Sequence, residues 1–231
     1  MQKVAIFDID GTIFRSSLLI QIVERLIEEG IFSKQKAQDF AREKNAWLDR
    51  KGEYHDYIMA VVKTFVSNIK GVAYSDFSRI GEEVVAEQKD RVYRYTRDLI
   101  KELQKKDYFL LAVSHSPKGI LDQFCKRLGF DKVYGLYYET GPSERFTGKI
   151  AEEAFMLNKA AVVQHAVAKE GLALQGSIGV GDTESDIPFL ELVERPICFN
   201  PNAKLFAHAK RNKWEVVVER KDVIYKIESR E

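Results

Sequence analysis

The sequence has few of the residues that build disulfide frameworks or zinc sites. Its 231 residues include two cysteines, Cys125 and Cys198, and four histidines. Two cysteines in a chain of this length do not make a disulfide framework. Both have apolar neighbours, so we expect two buried thiols. None of the histidines has zinc-type spacing with a cysteine, which excludes the common structural zinc motifs.

The sequence also lacks long apolar runs and an excess of either charge. No apolar run approaches the ~18 residues of a membrane span, and the N-terminal one is too short for a signal peptide. The 36 lysines and arginines against 35 aspartates and glutamates leave a net charge of +1, which favours neither nucleic acid nor an anionic membrane as partner. The densest basic stretch, 204–221, contains interleaved glutamates, and we interpret it as a solvated face. We expect a cytoplasmic protein, and its oligomeric state stays open.

Short apolar runs alternate with helical patterns along most of the chain. The strand-like runs are 4–7, 108–113, 132–138, 177–180 and 196–199. The helical patterns between them are 120–128, 159–169, 185–193 and 203–211. This alternation predicts an α/β fold with a parallel sheet and helices on both of its faces.

Residues 15–90 interrupt the alternation. Apolar residues recur there near helical spacing, and the segment is too long for a simple crossover between two strands. We therefore predict a helical subdomain at 15–90, inserted after the first strand of a core formed by 1–14 and 91–231. A further segment, 138–150, contains Gly-Pro and Thr-Gly pairs and predicts a hairpin or flap.

Polar residues suited to phosphate chemistry follow three of the predicted strands. Asp8 and Asp10 follow the first strand, Ser114 ends the second, and Asp182 follows the fourth. Ligands of an open parallel sheet bind beyond the carboxyl ends of its strands, so we expect these side chains to meet. Clustered carboxylates repel each other unless a cation lies among them, and oxygen ligands without nearby histidine or cysteine favour Mg²⁺.

These residue types predict phosphoryl transfer. A carboxylate beside Mg²⁺ can attack phosphorus and form an aspartyl-phosphate. A second carboxylate two residues later can protonate the leaving oxygen and then deprotonate the attacking water. The charge on the transferred group needs donors and a cation. Ser114 offers a hydroxyl, and Lys159, at the start of a helical pattern, offers the cation.

Four motifs together resemble those of the haloacid dehalogenase superfamily, in its phosphoserine-phosphatase-like branch. Asp8–Thr12 matches the first family motif, DxDGT, and Leu111–Ser114 matches the second, an apolar strand ending in serine or threonine. Lys159 matches the third, a single lysine, and Gly181–Asp186 matches the fourth, GDxxxD. The motifs occur in family order, and the resemblance covers nearly the whole chain. It implies a Rossmann-like three-layer core with an inserted helical cap.

The resemblance also implies roles for the carboxylates. Asp8 would be the nucleophile and a Mg²⁺ ligand. Asp10 would be the general acid and base, and its backbone carbonyl would also reach the metal. Asp182 would be a further metal ligand. Asp186 would support the metal site without binding the ion directly, or would orient Lys159.

The remaining implied roles concern the phosphate group and the insertion. Ser114 would bind the phosphoryl oxygens, and Lys159 would hold the nucleophile and the phosphate in place. The helical insertion would act as a cap that closes over the substrate and excludes water.

The second aspartate and one replacement narrow the predicted substrate. An alkoxide leaving group needs a proton, so Asp10 favours phosphate monoesters of alcohols. Ser17 stands where phosphoserine phosphatase has a glutamate that helps to hold the amino acid, which argues against phosphoserine. We predict a Mg²⁺-dependent phosphatase of small-molecule phosphate monoesters that uses an aspartyl-phosphate. The alternatives are a phosphotransferase or phosphomutase with the same intermediate, and a non-catalytic module that binds a phospho-ligand.

Overall fold

The computed structural model describes residues 1–227, which form one eight-stranded sheet with surrounding helices. The strands are β1 (Lys3–Phe7), β2 (Phe109–Pro117), β3 (Lys132–Thr140), β4 (Phe146–Ala151), β5 (Ala173–Gly181), β6 (Arg195–Phe199), β7 (Glu215–Arg220) and β8 (Val223–Ile227). The helices are α1 (Leu18–Glu28), α2 (Ala41–Leu48), α3 (Tyr54–Asn68), α4 (Tyr74–Gln88), α5 (Arg94–Lys105), α6 (Lys118–Leu128), α7 (Glu153–Met156), α8 (Lys159–Glu170), α9 (Ile187–Leu190) and α10 (Ala203–Asn212).

Strand β1 lies inside a sheet with the order β4-β3-β2-β1-β5-β6-β7-β8. Neighbouring strands from β3 to β7 are parallel, whereas β4 and β8 are antiparallel edge strands. Four of the five residues of β1 are buried, as expected for a parallel strand covered on both faces. The predicted α/β fold and the predicted hairpin, formed by β3 and β4, are confirmed.

The order of the strands places helices on both faces of the sheet. The chain moves from β1 outward to β3 through α5 and α6, and from β5 outward to β7 through α9 and α10. Right-handed crossovers in opposite directions put these two pairs of helices on opposite faces. The direction reverses at β1, between β2 and β5, and such a switch point opens the crevice in which ligands of open α/β sheets bind.

Residues 15–90 are helical, as predicted. They contain α1 to α4 and a short 3₁₀ helix, Lys34–Asp39, and this described segment has no strand. Phe65 of α3 contacts Phe77 of α4 and Tyr138 of β3 through their rings, so the insertion packs both on itself and on the sheet. The division into a core of 1–14 and 91–231 and a cap of 15–90 stays a prediction, and its last four residues, 228–231, lie outside the described part.

Several details differ from the prediction. Strands β7 and β8 occupy the end of the basic stretch and the residues after it. Val216 and Val217 are buried although most of the flanking basic side chains are exposed. The helix predicted at 185–193 is shorter in the structure: a 3₁₀ turn, Glu184–Asp186, precedes the four-residue α9, and both end before Val193. Asp186 and Thr183 form a capping box, in which the Asp186 side chain accepts from the backbone N–H of Thr183 at 3.0 Å; this fixes the start of the helical segment at this turn.

Both cysteines, Cys125 and Cys198, are buried and free, as predicted. Burial raises the pKa of each thiol, to about 12 for Cys198, so neither is an activated nucleophile. Within residues 1–227, no helix has the length and apolar character required to cross a membrane.

Candidate active site

Three carboxylates converge beyond the carboxyl ends of β1 and β5. Asp8 follows β1 directly, and its backbone N–H donates to the carbonyl of Val180 in β5 at 2.9 Å. Asp182 follows β5, and Asp186 ends the next turn. One carboxylate oxygen from each of Asp8, Asp182 and Asp186 lies within 4.8 Å of the others. The expected meeting of the first and fourth motifs therefore occurs, and these three carboxylates form what we call the acidic cluster.

The turn after β1 fits closely against Asp182. Gly11 has a φ of +83°, and a Cβ at this position would lie 2.1 Å from Asp182 Oδ2. Only glycine satisfies both the backbone angle and the space. The hydroxyl of Thr12 donates to Asp182 Oδ1 at 3.3 Å, and that of Thr96 donates to the backbone carbonyl of Thr12 at 3.0 Å. The motif spacing includes Thr12 but gives no sign of Thr96.

Helix α8 brings Lys159 into the acidic cluster. The side chain of Asn158 caps the helix by accepting a hydrogen bond from the N–H of Ala161 at 3.1 Å. Lys159 Nζ lies 2.7 Å from Asp8 Oδ1 and 2.6 Å from Asp186 Oδ1. All three groups are buried, and a buried ammonium is tolerated when carboxylates pair with it in this way.

Asp186 joins Lys159 to the loop that carries Asp182. Its Oδ2 accepts hydrogen bonds from the N–H groups of Asp182, at 2.9 Å, and Thr183, at 3.0 Å. A Cβ at Gly181 would lie 2.6 Å from the Cβ of Asp186, so a side chain there would displace the carboxylate. Asp186 therefore fixes the lysine on one side and the loop on the other.

Asp10 makes its side-chain hydrogen bonds to β2 and α1. Its Oδ1 accepts from the N–H of Leu18 at 2.6 Å. Its Oδ2 accepts from the hydroxyls of Ser114, at 2.9 Å, and Ser116, at 2.7 Å. Alternate residues of a strand point to the same side, so the Ser-His-Ser sequence at 114–116 was a signal for both serines. The family motif includes Ser114 and stops before Ser116.

The electrostatics of the site show a surplus of buried negative charge. Burial raises the pKa of Asp8 to about 7, and the charges of Asp186 and Asp10 add to this against the attraction of Lys159. Burial and the charge of Asp8 raise the pKa of Asp182 well above its ordinary value. Burial alone would lower the pKa of Lys159, but Asp186 and Asp8 outweigh it and raise that pKa.

This surplus fits a divalent metal ion. The acidic cluster offers carboxylate oxygens only, the ligand type that Mg²⁺ prefers. The buried Asp8 and Asp186 share one ammonium, and the half-buried Asp182 lies beside them, so a bound cation would relieve the repulsion among the three carboxylates. Both side-chain oxygens of Asp10 already accept hydrogen bonds, which leaves its backbone carbonyl as the atom for the predicted metal contact. That contact stays a prediction.

Aromatic side chains lie on the side of the insertion. Tyr54, at the start of α3, has its pKa raised by burial and by the negative charges of Asp10 and Asp182. The ring of Trp47 contacts that of Tyr54, with centroids 5.3 Å apart. Burial and the charge of Asp182 likewise raise the pKa of Tyr93, which precedes α5. Tyr54 and Tyr93 therefore lie within range of the charges of the carboxylates, and the motifs did not indicate them.

The fold and the site define an α/β enzyme whose carboxylates, lysine and serine gather beyond the central strands of a largely parallel sheet. The chain belongs to the haloacid dehalogenase-like hydrolase family, whose sequence model matches residues 5–191. The predicted family and the predicted hydrolytic enzyme are thereby confirmed.

Relatives and solved structures agree with this membership. The chain is 25% identical to histidinol-phosphatase of Neisseria meningitidis serogroup C, over 94% of this chain and 99% of that protein. It is 24% identical to phosphoserine phosphatase SerB1 of Mycobacterium tuberculosis, over 92% of this chain and 69% of that protein. The crystal structure of a protein of unknown function from Bordetella pertussis Tohama I superposes with a TM-score of 0.70 at 18% identity, and the match covers 94% of this chain and 98% of that chain. The structure of a phospho-aspartyl intermediate analogue of phosphoserine phosphatase superposes with a TM-score of 0.61 at 19% identity, and the match covers 96% of this chain and 95% of that chain.

Proposed function

We propose that this enzyme is a Mg²⁺-dependent phosphatase that hydrolyses small phosphate monoesters through an aspartyl-phosphate on Asp8. The observation that carries the proposal is the contact of one buried lysine with both Asp8 and Asp186, at 2.7 and 2.6 Å. That contact orients the Asp8 carboxylate and keeps a positive charge beside it. The phosphatase names of the relatives support the same chemistry.

Asp8 is the nucleophile in this proposal. Lys159 holds its Oδ1, which leaves Oδ2 to attack phosphorus. Asp8, Asp182 and the backbone carbonyl of Asp10 would hold Mg²⁺, which supplies charge neutralisation and polarises the phosphoryl group when bound. Ser114 and Lys159 donate to the phosphoryl oxygens, and their hydrogen bonds strengthen as negative charge builds there.

Asp10 is the general acid and then the general base. Burial raises its pKa, although hydrogen bonds from Ser116, Leu18 and Ser114 lower it in part. A raised pKa favours the protonated carboxyl that gives its proton to the leaving alkoxide. The resulting carboxylate then takes a proton from the water that hydrolyses the aspartyl-phosphate.

The insertion supplies the surroundings of the alcohol. Trp47 and Tyr54 come from the predicted cap and Tyr93 from the predicted core, so closure would bring rings of both onto the substrate. Ser17 is buried at the beginning of α1 and carries no charge for an amino group. Histidinol phosphate, the substrate type named by one relative, carries an amino group as phosphoserine does, so Ser17 does not separate the two. The first screen therefore includes both, together with phosphate monoesters that lack an amino group.

The test is release of phosphate from a panel of small monoesters, with Mg²⁺ and then with EDTA. We expect EDTA and Asp8→Asn each to remove activity, the variant by at least about a thousandfold, because an amide is a poor nucleophile. Asp98→Asn removes an exposed carboxylate of α5 and is the matched control. Full activity of Asp8→Asn would contradict the proposal. Phosphate passed to an added alcohol instead of water would favour the phosphotransferase alternative.

A further inference from the structure

Ser116 is a buried serine that the proposed roles leave without a function. Its side chain is 4% exposed, and its hydroxyl donates to Asp10 Oδ2 at 2.7 Å, closer than the 2.9 Å of Ser114. Its backbone N–H donates to the hydroxyl oxygen of Ser114 at 3.0 Å. Ser114, Ser116 and Asp10 thus form one connected set of hydrogen bonds, with a single carboxylate oxygen as the shared acceptor.

The two serines have different obligations during the reaction. A hydroxyl group can donate one hydrogen bond, and in this structure the Ser114 hydroxyl donates it to Asp10 Oδ2. A Ser114 that donates to a phosphoryl oxygen must release Asp10, because the same proton cannot serve both acceptors. Ser116 has no role in binding the phosphoryl group, so its hydroxyl continues to donate a hydrogen bond to Asp10 when substrate is bound.

We propose that Ser116 is a positioning residue for Asp10 and that it keeps the general acid aligned after Ser114 turns to the phosphate. This inference rests on the proposed function. The N–H of Leu18 holds Oδ1 and the hydroxyl of Ser116 holds Oδ2. A carboxyl group held at both oxygens does not rotate about its Cβ–Cγ bond, so the direction of proton transfer is fixed.

The step that Ser116 supports is the first half of the reaction. The bond between phosphorus and the alcohol oxygen breaks while a bond from Asp8 to phosphorus forms. The electron pair stays on the alcohol oxygen, which takes the proton of Asp10. Asp10 becomes a carboxylate, and the Ser116 hydroxyl then donates to a charged acceptor, which makes a stronger hydrogen bond than a neutral one.

The test compares two leaving groups in Ser116→Ala. An alkyl phosphate needs the proton of Asp10, whereas p-nitrophenolate leaves as a stable anion without it. We expect kcat/KM to fall at least about tenfold for the alkyl ester, the factor for one hydrogen bond to a charged group. We expect a loss below about threefold for p-nitrophenyl phosphate. The ratio kcat/KM reports the steps through departure of the alcohol, so the later hydrolysis does not mask the difference.

Three variants separate positioning from folding. Ser177→Ala is the matched control: Ser177 is fully buried, donates to the carbonyl of Leu174 at 2.5 Å and accepts from the N–H of Glu194 at 3.1 Å. It should lower stability without dependence on the leaving group. Ser116→Cys keeps the size of the side chain with a weaker donor, and should show the same order of losses as the alanine variant. Ser116→Thr keeps the hydroxyl and should restore the alkyl ester activity.

The outcomes are distinct. A greater loss on the alkyl ester than on the nitrophenyl ester, with rescue by threonine, supports the positioning role. Equal losses on both esters, or no loss, overturn it while the proposed function stands. A wild-type enzyme that releases phosphate from no ester of the monoester panel with Mg²⁺ overturns the proposed function and this inference together.

Discussion

Replacement of Asp8 by asparagine is expected to stabilise the metal-free protein. Burial raises the pKa of Asp8 from its ordinary 3.8 to about 7, with Asp186 and Asp10 adding to the effect. At pH 8 the folded chain therefore holds a carboxylate where charge is disfavoured. Asparagine carries no charge, and its carbonyl oxygen can still accept a hydrogen bond from Lys159. The lysine keeps Asp186 as its ionic partner, at 2.6 Å.

The magnitude follows from the linkage of ionisation to folding. A carboxyl group whose pKa is raised in the folded state contributes its full stability below 3.8, and that stability is lost as the pH rises through about 7. At 1.36 kcal/mol for each pKa unit, the wild-type protein loses about 4 kcal/mol across this window. Water that enters the metal-free site screens the charge, so we expect the variant to gain about 1–3 kcal/mol at pH 8.

The assay is urea unfolding in EDTA at pH 4 and pH 8. The free energies of unfolding of Asp8→Asn and wild type should be similar at pH 4 and should separate at pH 8, with the variant the more stable. Asp98→Asn should change stability little at either pH, because the carboxylate it removes is exposed and solvent screens its ion pair with Arg97. A variant less stable than wild type at pH 8 would refute the reasoning, since the pair of Asp8 with Lys159 would then outweigh the cost of burial.

Two further substitutions test the acidic cluster. Lys159→Met should lower the free energy of unfolding in EDTA by about 3–5 kcal/mol, because Asp8 and Asp186 lose their buried counterion. Mg²⁺ should restore part of this loss. Thermal unfolding in EDTA in which the variant is as stable as wild type would contradict the prediction. Gly11→Ala should weaken Mg²⁺ binding in calorimetric titration at least about tenfold, a penalty of 1.4 kcal/mol, because its Cβ would meet Asp182 at 2.1 Å. Gly30→Ala is the control: its φ is +75° with nothing within 4 Å of the added Cβ, so equal weakening in both variants would assign the effect to backbone strain.

The position of the site could be predicted because it depends on topology. Asp8 and Asp182 follow two strands that are parallel neighbours in the sheet, β1 and β5, so their approach follows from the fold class alone. The positions of the strand ends do not identify Lys159 as a site residue, since a lysine at the start of a helix is common. The motif order supplied that residue, and the structure places it in contact with Asp8 and Asp186; its role stays a prediction.

Features that depend on side-chain rotamers and tertiary packing could not be predicted. The choice of Ser116 and Leu18 as partners of Asp10 depends on where β2 ends, and β2 continues three residues beyond the predicted end at Ser114. Strand β7 was missed because charges flank its short apolar centre, Val216 and Val217. Tyr54 lies 42 residues after Thr12, the end of the nearest motif, so only the packing of the insertion brings it near the carboxylates.

A single-turnover experiment shows whether Asp8 carries the phosphoryl group. Enzyme in excess over substrate is mixed with Mg²⁺ and stopped with acid, and the phosphorylated peptide is located by mass spectrometry. We expect a transient phosphoryl group on Asp8, absent from Asp8→Asn and from samples with EDTA. Release of phosphate by an active enzyme with no phosphoryl group on Asp8 at any time, together with activity in Asp8→Asn, would contradict it.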